Sequence, residues 1–187
     1  MTNPEAERAL TWQPVATEPA LIAAPVAALL STWPHADRVA VAEIDPELSD
    51  TTEFCDAYGV SLAESANCVV VTGKREGEPR YAACVVPATH RADVNGVVRR
   101  LLDVRKASFA AMPEAVALTG MEYGGITPLG LPVGWRVFVA PEVVAFGPVV
   151  IGSGVRRSKI RIDGALLAEL PGAEEVPELA RPVVSAS

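Results

Sequence analysis

The residues of this chain that can do chemistry are few. Its three cysteines, Cys55, Cys68 and Cys84, are widely spaced, and two are flanked by strand-like apolar residues. That spacing suggests neither a disulfide framework nor a zinc site, and buried free thiols are expected. Cys68 would become a nucleophile only if a neighbour lowered its pKa. His35 and His90 stand in polar loop contexts, with no serine or cysteine of a nucleophile motif near either. The stretch GMEYGGITPLGLP, residues 120–132, is different, with four glycines and two prolines in thirteen positions. It cannot remain regular for long. Glycine lets the main chain approach a ligand closely, and amides presented in this way suit an anion or a carbonyl oxygen. The same loop can also serve simply as a rigid link between a helix and a strand. It is neither a phosphate-binding P-loop nor a dinucleotide fingerprint, since no GKS/T tail and no immediately preceding strand are present. Glu122 within it is either a base or a solvated carboxylate.

The elements that must hold these residues follow from periodicity and punctuation. Leu21, Ile22, Val26, Leu29 and Leu30 suit a helix face that Pro25 kinks or begins. A short strand over 38–44 follows. Asp50 and Glu53 form a plausible capping box for a helix over 51–58 that ends at Gly59. Residues 67–72 and 80–86 read as two strands joined by a turn that contains Lys74. Asp93 caps a helix burying Val94, Val97, Val98, Leu101 and Leu102, and Pro113 and Gly120 bracket another. Strands are expected over 135–140, 149–153 and 159–162, then a helix over 166–170. No internal repeat is present. Elements mixed in this irregular order imply a single α/β (mixed α+β) domain with a mixed, mostly antiparallel or barrel-like sheet surrounded by helices.

Length and composition agree with one domain, since 187 residues suffice for one full core. No uncharged apolar run is long enough to span a membrane. The N-terminus carries Glu5 and Glu7 where a secretory signal would be basic, so a cytoplasmic protein is expected. The net charge of −7 is uneven: residues 1–60 hold ten acidic and two basic side chains, and residues 61–170 hold ten acidic and thirteen basic. Arg99, Arg100, Arg105 and Lys106 cluster, as do Arg156, Arg157, Lys159 and Arg161. These groups either form a local phosphate-binding face or are solvated surface charge.

The glycine loop and its surroundings resemble the YbaK/EbsC family of aminoacyl-tRNA deacylase domains, in which a threonine-glycine pair at a helix end leads to GGxSPxG. The corresponding residues are Thr119, Gly120, Tyr123, Gly124, Gly125, Ile126, Thr127, Pro128, Leu129 and Gly130. Upstream, DPELSDTTEFCDAYGV resembles the family's acidic approach and first helix. Residues 85–102 resemble its strand and aspartate-started helix, and 151–170 its closing strand, basic turn and last helix. The likeness covers roughly residues 35–170, which leaves an N-terminal extension with a helix at 1–34 and a flexible C-terminal tail at 171–187.

The resemblance implies hydrolysis, in trans, of the ester joining a wrong amino acid to the 3′ end of tRNA, with no metal, cofactor or membrane involved. It implies substrate binding by Gly124, Gly125, Ile126, Thr127, Pro128 and Gly130, and by Gly152, Ser153 and Gly154. The family also places a lysine at the start of the strand after the first helix, in a pattern such as AKSLVF. This chain reads SANCVVV, with Asn67 at the lysine position, and a shift of one brings only Ala66 or Cys68. Lys74, Lys106 and Lys159 do not fall at that strand end by sequence. Asparagine can orient a carbonyl but cannot neutralise an oxyanion. Losing one such charged contact costs on the order of a hundredfold in rate. Two readings follow from Asn67: a weakened editing hydrolase, or a non-catalytic module that binds an aminoacyl or adenosine end or another small ligand. A third, a pure interaction domain, requires a filled cleft between Asn67 and the glycine loop.

Overall fold

The computed structural model describes residues 8–183; expectations for the extreme ends, 1–7 and 184–187, lie outside them. The strands in chain order are β1 (Gln13–Pro14), β2 (Ala40–Glu43), β3 (Ala66–Arg75), β4 (Glu78–Pro87), β5 (His90–Ala92), β6 (Ala107–Phe109), β7 (Arg136–Val139), β8 (Pro148–Gly152), β9 (Ser158–Asp163), β10 (Ala173–Glu175) and β11 (Ala180–Pro182). The helices are α1 (Ala24–Leu30), α2 (Thr51–Tyr58), α3 (Arg99–Leu101), α4 (Met112–Thr119), α5 (Pro141–Phe146) and α6 (Gly164–Leu167).

The longest pairing is the hairpin of β3 and β4, in register from Ala66 opposite Pro87 to Arg75 opposite Glu78. Both strands run further than the sequence suggests, because Glu76 and Gly77 close them with a two-residue turn in the left-handed region, the geometry that fits strand twist. Lys74, expected in the turn, is therefore a strand residue opposite Pro79. The hairpin sits in a five-stranded sheet of order β10-β7-β4-β3-β6. Its β4–β7 and β7–β10 pairs are parallel and its β3–β4 and β3–β6 pairs antiparallel. β4 has neighbours on both edges and buried residues on both faces, which is why YAACVV reads as a continuous apolar run.

A second sheet of order β1-β2-β9-β8 is antiparallel throughout. The two sheets meet at a bridge between Ser65 and Val150 and do not close into a barrel. One apolar core joins Val41, Ile160 and Ile162 of the second sheet to Val71, Cys84, Val137 and Phe138 of the first. The result is a single mixed α/β domain.

Several local expectations change. Asp50 stands at the N-cap of α2 but makes no capping bond. The helix after Asp93 opens as a π-turn over Val94–Val98, with the Asp93 carboxylate accepting from the Val97 amide at 3.1 Å, and only then becomes α3. Helix α5 and the short strands β5, β6, β10 and β11 carry too little periodicity to be read in advance. Residues 171–183, expected as a flexible tail, instead add β10 beside β7 and pair β11 with β5. Val176 and Leu179 are buried there, isolated apolar residues whose partners lie far away in sequence. The N-terminal segment is integral too: Val15, Leu21, Val26 and Trp33 enter the main core.

Gly130 fixes that N-terminal segment to the glycine loop. It has φ +78, and a Cβ there would collide with the backbone of Pro25 and Val26 at the start of α1. Replacing Gly130 by Ala adds left-handed strain to a backbone clash and should destabilise the protein by about 2–4 kcal/mol. Chemical denaturation of the variant beside the wild type measures this.

Candidate functional site

A cavity of about 590 Å³ lies where the two sheets meet. Its walls are the first residues of β3, the end of β8, the segment Ser49–Phe54 leading into α2, the start of α4, and the glycine loop at Tyr123, Gly124 and Ile126. The cleft that an interaction domain would fill is thus open. Phe109, Met112 and Tyr123 line it and are also largely exposed, so its mouth is apolar and aromatic.

Asn67 is held in this wall by Thr51, whose Oγ1 donates to Asn67 Oδ1 at 2.8 Å. Among the described residues nothing engages the Asn67 Nδ2 donors. Two positions back along the chain, the carbonyl of Ser49 accepts from Nζ of Lys159 at 2.7 Å. Lys159 belongs to β9, on the opposite sheet, opposite Gly152 of β8. Its side chain is buried, 7% exposed, with Nζ lying 5.1 Å from the centre of the Phe54 ring. Burial lowers its pKa to about 8, against the opposing pull of Cys55 and Asp50, and Arg156 lowers it further. Among the described residues it is the one cationic side chain in the cavity wall.

Of the residues the sequence singles out, Asn67, Gly124, Ile126 and Gly152 line the cavity. Gly125, Thr127, Pro128, Gly130, Ser153 and Gly154 do not: they lie behind the wall and build it. A Cβ on Gly125 would sit 2.7 Å from the Val155 carbonyl, and one on Gly152 would sit 2.5 Å from the Gly125 carbonyl, so both glycines serve close backbone packing. The Gly154 amide donates to Gly125 at 2.7 Å and the Glu122 amide to Gly154 at 2.9 Å. Thr127 is wholly buried, and Ser153 is bonded within the turn to Val155 and Ser158. Glu122 is engaged as well, its carboxylate accepting from the Arg156 amide at 2.6 Å. Among the loop residues that line the cavity, the amides of Tyr123, Gly124 and Ile126 find no internal acceptor among the described residues, so they are available as donors.

Cys68 lines the cavity, but burial pushes its thiol up to about 12, so it stays protonated at neutral pH. Burial also raises the Cys55 and Cys84 thiols. Among the described residues no group of three His, Cys, Asp or Glu side chains is placed to hold a metal ion, and no helix is long and apolar enough to cross a membrane. Sequence reasoning missed Ser49, Thr51 and Phe54, and it set Lys159 aside because that residue does not fall at the strand end. Only Lys159 carried a signal, its place in the basic cluster of 156–161, and its direction into a cavity depends on the register of β9.

Comparison with known proteins bears on the family and the fold. The family model described as the aminoacyl-tRNA editing domain matches residues 45–170. Among solved structures, a candidate trans-editing enzyme for prolyl tRNA synthetase superposes with a TM-score of 0.69 at 22% identity, covering 82% of this chain and 93% of that one. A scaffold from an epitope-grafting design study gives 0.70 at 21% identity, covering 83% and 95%. A crystal structure of a hypothetical protein gives 0.66 at 22%, covering 75% and 90%. At these identities the structures bear on the fold. No curated protein matches the sequence.

The buried ammonium has a thermodynamic signature. Because the folded-state pKa of Lys159 lies below its unfolded value, the folded protein binds fewer protons than the unfolded chain between about pH 8 and the ordinary lysine value of 10.5. Stability from this group therefore rises with pH across that window, and below it the charge is a net penalty. Lys159→Met should stabilise the protein at pH 7 by on the order of 1–3 kcal/mol, a gap that narrows toward pH 10. Denaturant midpoints of the two proteins at both pH values test this.

Proposed function

This chain belongs to the aminoacyl-tRNA editing domain family, whose model spans residues 45–170, and from that premise we propose that it is an aminoacyl-tRNA deacylase. It hydrolyses, in trans, the ester between a wrong amino acid and the terminal ribose of tRNA. The observation that carries the reading is the cavity itself: it has the volume of a small-molecule site and joins Asn67, the free amides of the glycine loop and an aromatic mouth. The aminoacyl group enters the pocket, where Asn67 Nδ2 and the Gly124 and Ile126 amides can bond its carbonyl oxygen. Phe109 and Tyr123 offer faces on which the terminal adenine can stack, a contact that tolerates any base. Arg105 and Lys106 are exposed immediately before β6, and among the described residues no carboxylate pairs with them. They are suited to the phosphates that follow.

Asn67 leaves the β3 strand end without a charge, which supports the second reading, a module that binds the same aminoacyl-adenosine end without cleaving it. Deacylation of a panel of mischarged tRNAs by the purified protein separates the two. We expect hydrolysis of at least one charged tRNA. We also expect a loss of at least about tenfold in Ala110→Trp, which adds bulk at the cavity wall. A folded protein that hydrolyses none of the panel is a binding module.

A further inference from the structure

The cavity wall contains, among the described residues, one cationic group that the glycine loop and Asn67 do not account for. Lys159 approaches from β9, across the cavity from the strand that carries Asn67, and the two converge on one short segment. Ser49 accepts from Lys159, and Thr51, two residues later, donates to Asn67. The two functional side chains are thus anchored to the same stretch of backbone before α2. An ammonium has three donors, and one is used by the Ser49 carbonyl, which leaves two for a ligand. The Ser49 hydroxyl, 1% exposed and lining the same cavity, has no hydrogen-bond partner among the described residues. A buried hydroxyl with no partner and a buried ammonium with spare donors are costly together in an empty fold, and a polar ligand would satisfy both.

We propose that Lys159 is a catalytic residue, supplying from β9 the cation that the β3 strand lacks at Asn67 and bonding the carbonyl oxygen of the scissile ester. This rests on the editing reading. Water attacks the carbonyl carbon, and the carbonyl π pair moves onto oxygen. The oxyanion that forms is held by the Lys159 ammonium and Asn67 Nδ2. When the pair returns, the bond between the carbonyl carbon and the ribose oxygen breaks, and the ribose oxygen takes up the proton released by the attacking water. A free amino acid and a ribose hydroxyl leave, and Lys159 keeps its proton throughout. Its position suits this role: the Phe54 ring and the Ser49 carbonyl hold the charge in place, so little reorganisation is needed as the oxyanion develops.

The groups that set its protonation are Cys55 on α2, Asp50 before it and Arg156 in the turn before β9. Cys55 and Asp50 favour the charged form, and burial and Arg156 oppose it. With its pKa near 8, Lys159 is mostly ammonium at neutral pH, and the assistance it gives should fade as pH rises through that value.

The test is kcat and KM for deacylation, from pH 6 to 10, by the wild type and Lys159→Met, with unfolding curves to show that both are folded. We expect the wild type to lose activity as pH rises through about 8, and Lys159→Met to lower kcat by about a hundredfold with little change in KM and to abolish that alkaline fall-off. A variant that keeps kcat within about threefold and keeps the same pH profile overturns the role of Lys159 and leaves the editing reading intact. A wild type that hydrolyses no charged tRNA overturns the editing reading. Lys159 is then judged by calorimetry with stable 3′-aminoacylamino-3′-deoxyadenosines carrying each proteinogenic amino acid. At least about a tenfold loss of affinity in Lys159→Met upholds the contact with the carbonyl. Equal affinity, or no binding by the wild type, overturns it.

Discussion

The main chain of the glycine loop lies directly against the main chain of the turn between β8 and β9, and the rest of the site depends on that contact. Gly125 and Gly152 permit it because neither has a Cβ to hold the strands apart, and the bonds from Gly154 to Gly125 and from Glu122 to Gly154 lock the register. A side chain at either glycine would force the loop away from the turn. Since the turn leads directly into β9, the position of the loop also fixes where β9 begins, and hence which way Lys159 faces.

From that junction two cations reach across to the segment before α2. Arg156 extends along the rim to the carbonyls of Pro46 and Tyr123, and stands 3.5 Å from Asp50. It is partly solvated, and its ion pair contributes little to stability. Lys159 goes inward to Ser49. The outer cation thus closes the seam between loop and α2, and the inner one charges the cavity. Burial keeps Lys159 near its switching point, and a methionine would fill the same space with less penalty. Its retention at a cavity wall fits a group whose value lies in binding or chemistry and not in folding.

The same logic explains why the cysteines are silent. Cys68 lies in the wall, yet burial makes its thiol hold its proton, and Lys159, mostly ammonium at neutral pH, has no lone pair with which to act as a base. In the proposed mechanism the carbonyl oxygen is met by an amide, an ammonium and backbone N–H groups. Such a set stabilises a carbonyl oxygen as it gains charge and does not form a covalent intermediate.

Much of this was legible in the sequence. The alternation and turn signals of 66–87 gave the central hairpin, Gly59 and Gly120 marked real helix ends, and the wording of 119–130 pointed to the family and so to the mixed single-domain fold. The absence of lysine at position 67 was certain from the sequence alone. What the tertiary structure decided was the assignment of roles within the loop and the origin of the pocket's charge. Gly125, Thr127, Gly130 and Gly154 look like ligand contacts in a linear motif, but Thr127 is wholly buried, and the three glycines pack against Val155, Pro25 and Ala23, partners far from them in sequence. Lys159 read as one of four clustered cations, either a phosphate-binding face or solvated surface charge. Only the pairing of β9 with β2 and β8 turns it inward, because the face a strand residue occupies is set by register between strands distant in sequence, and periodicity along one strand cannot say which face meets a cavity.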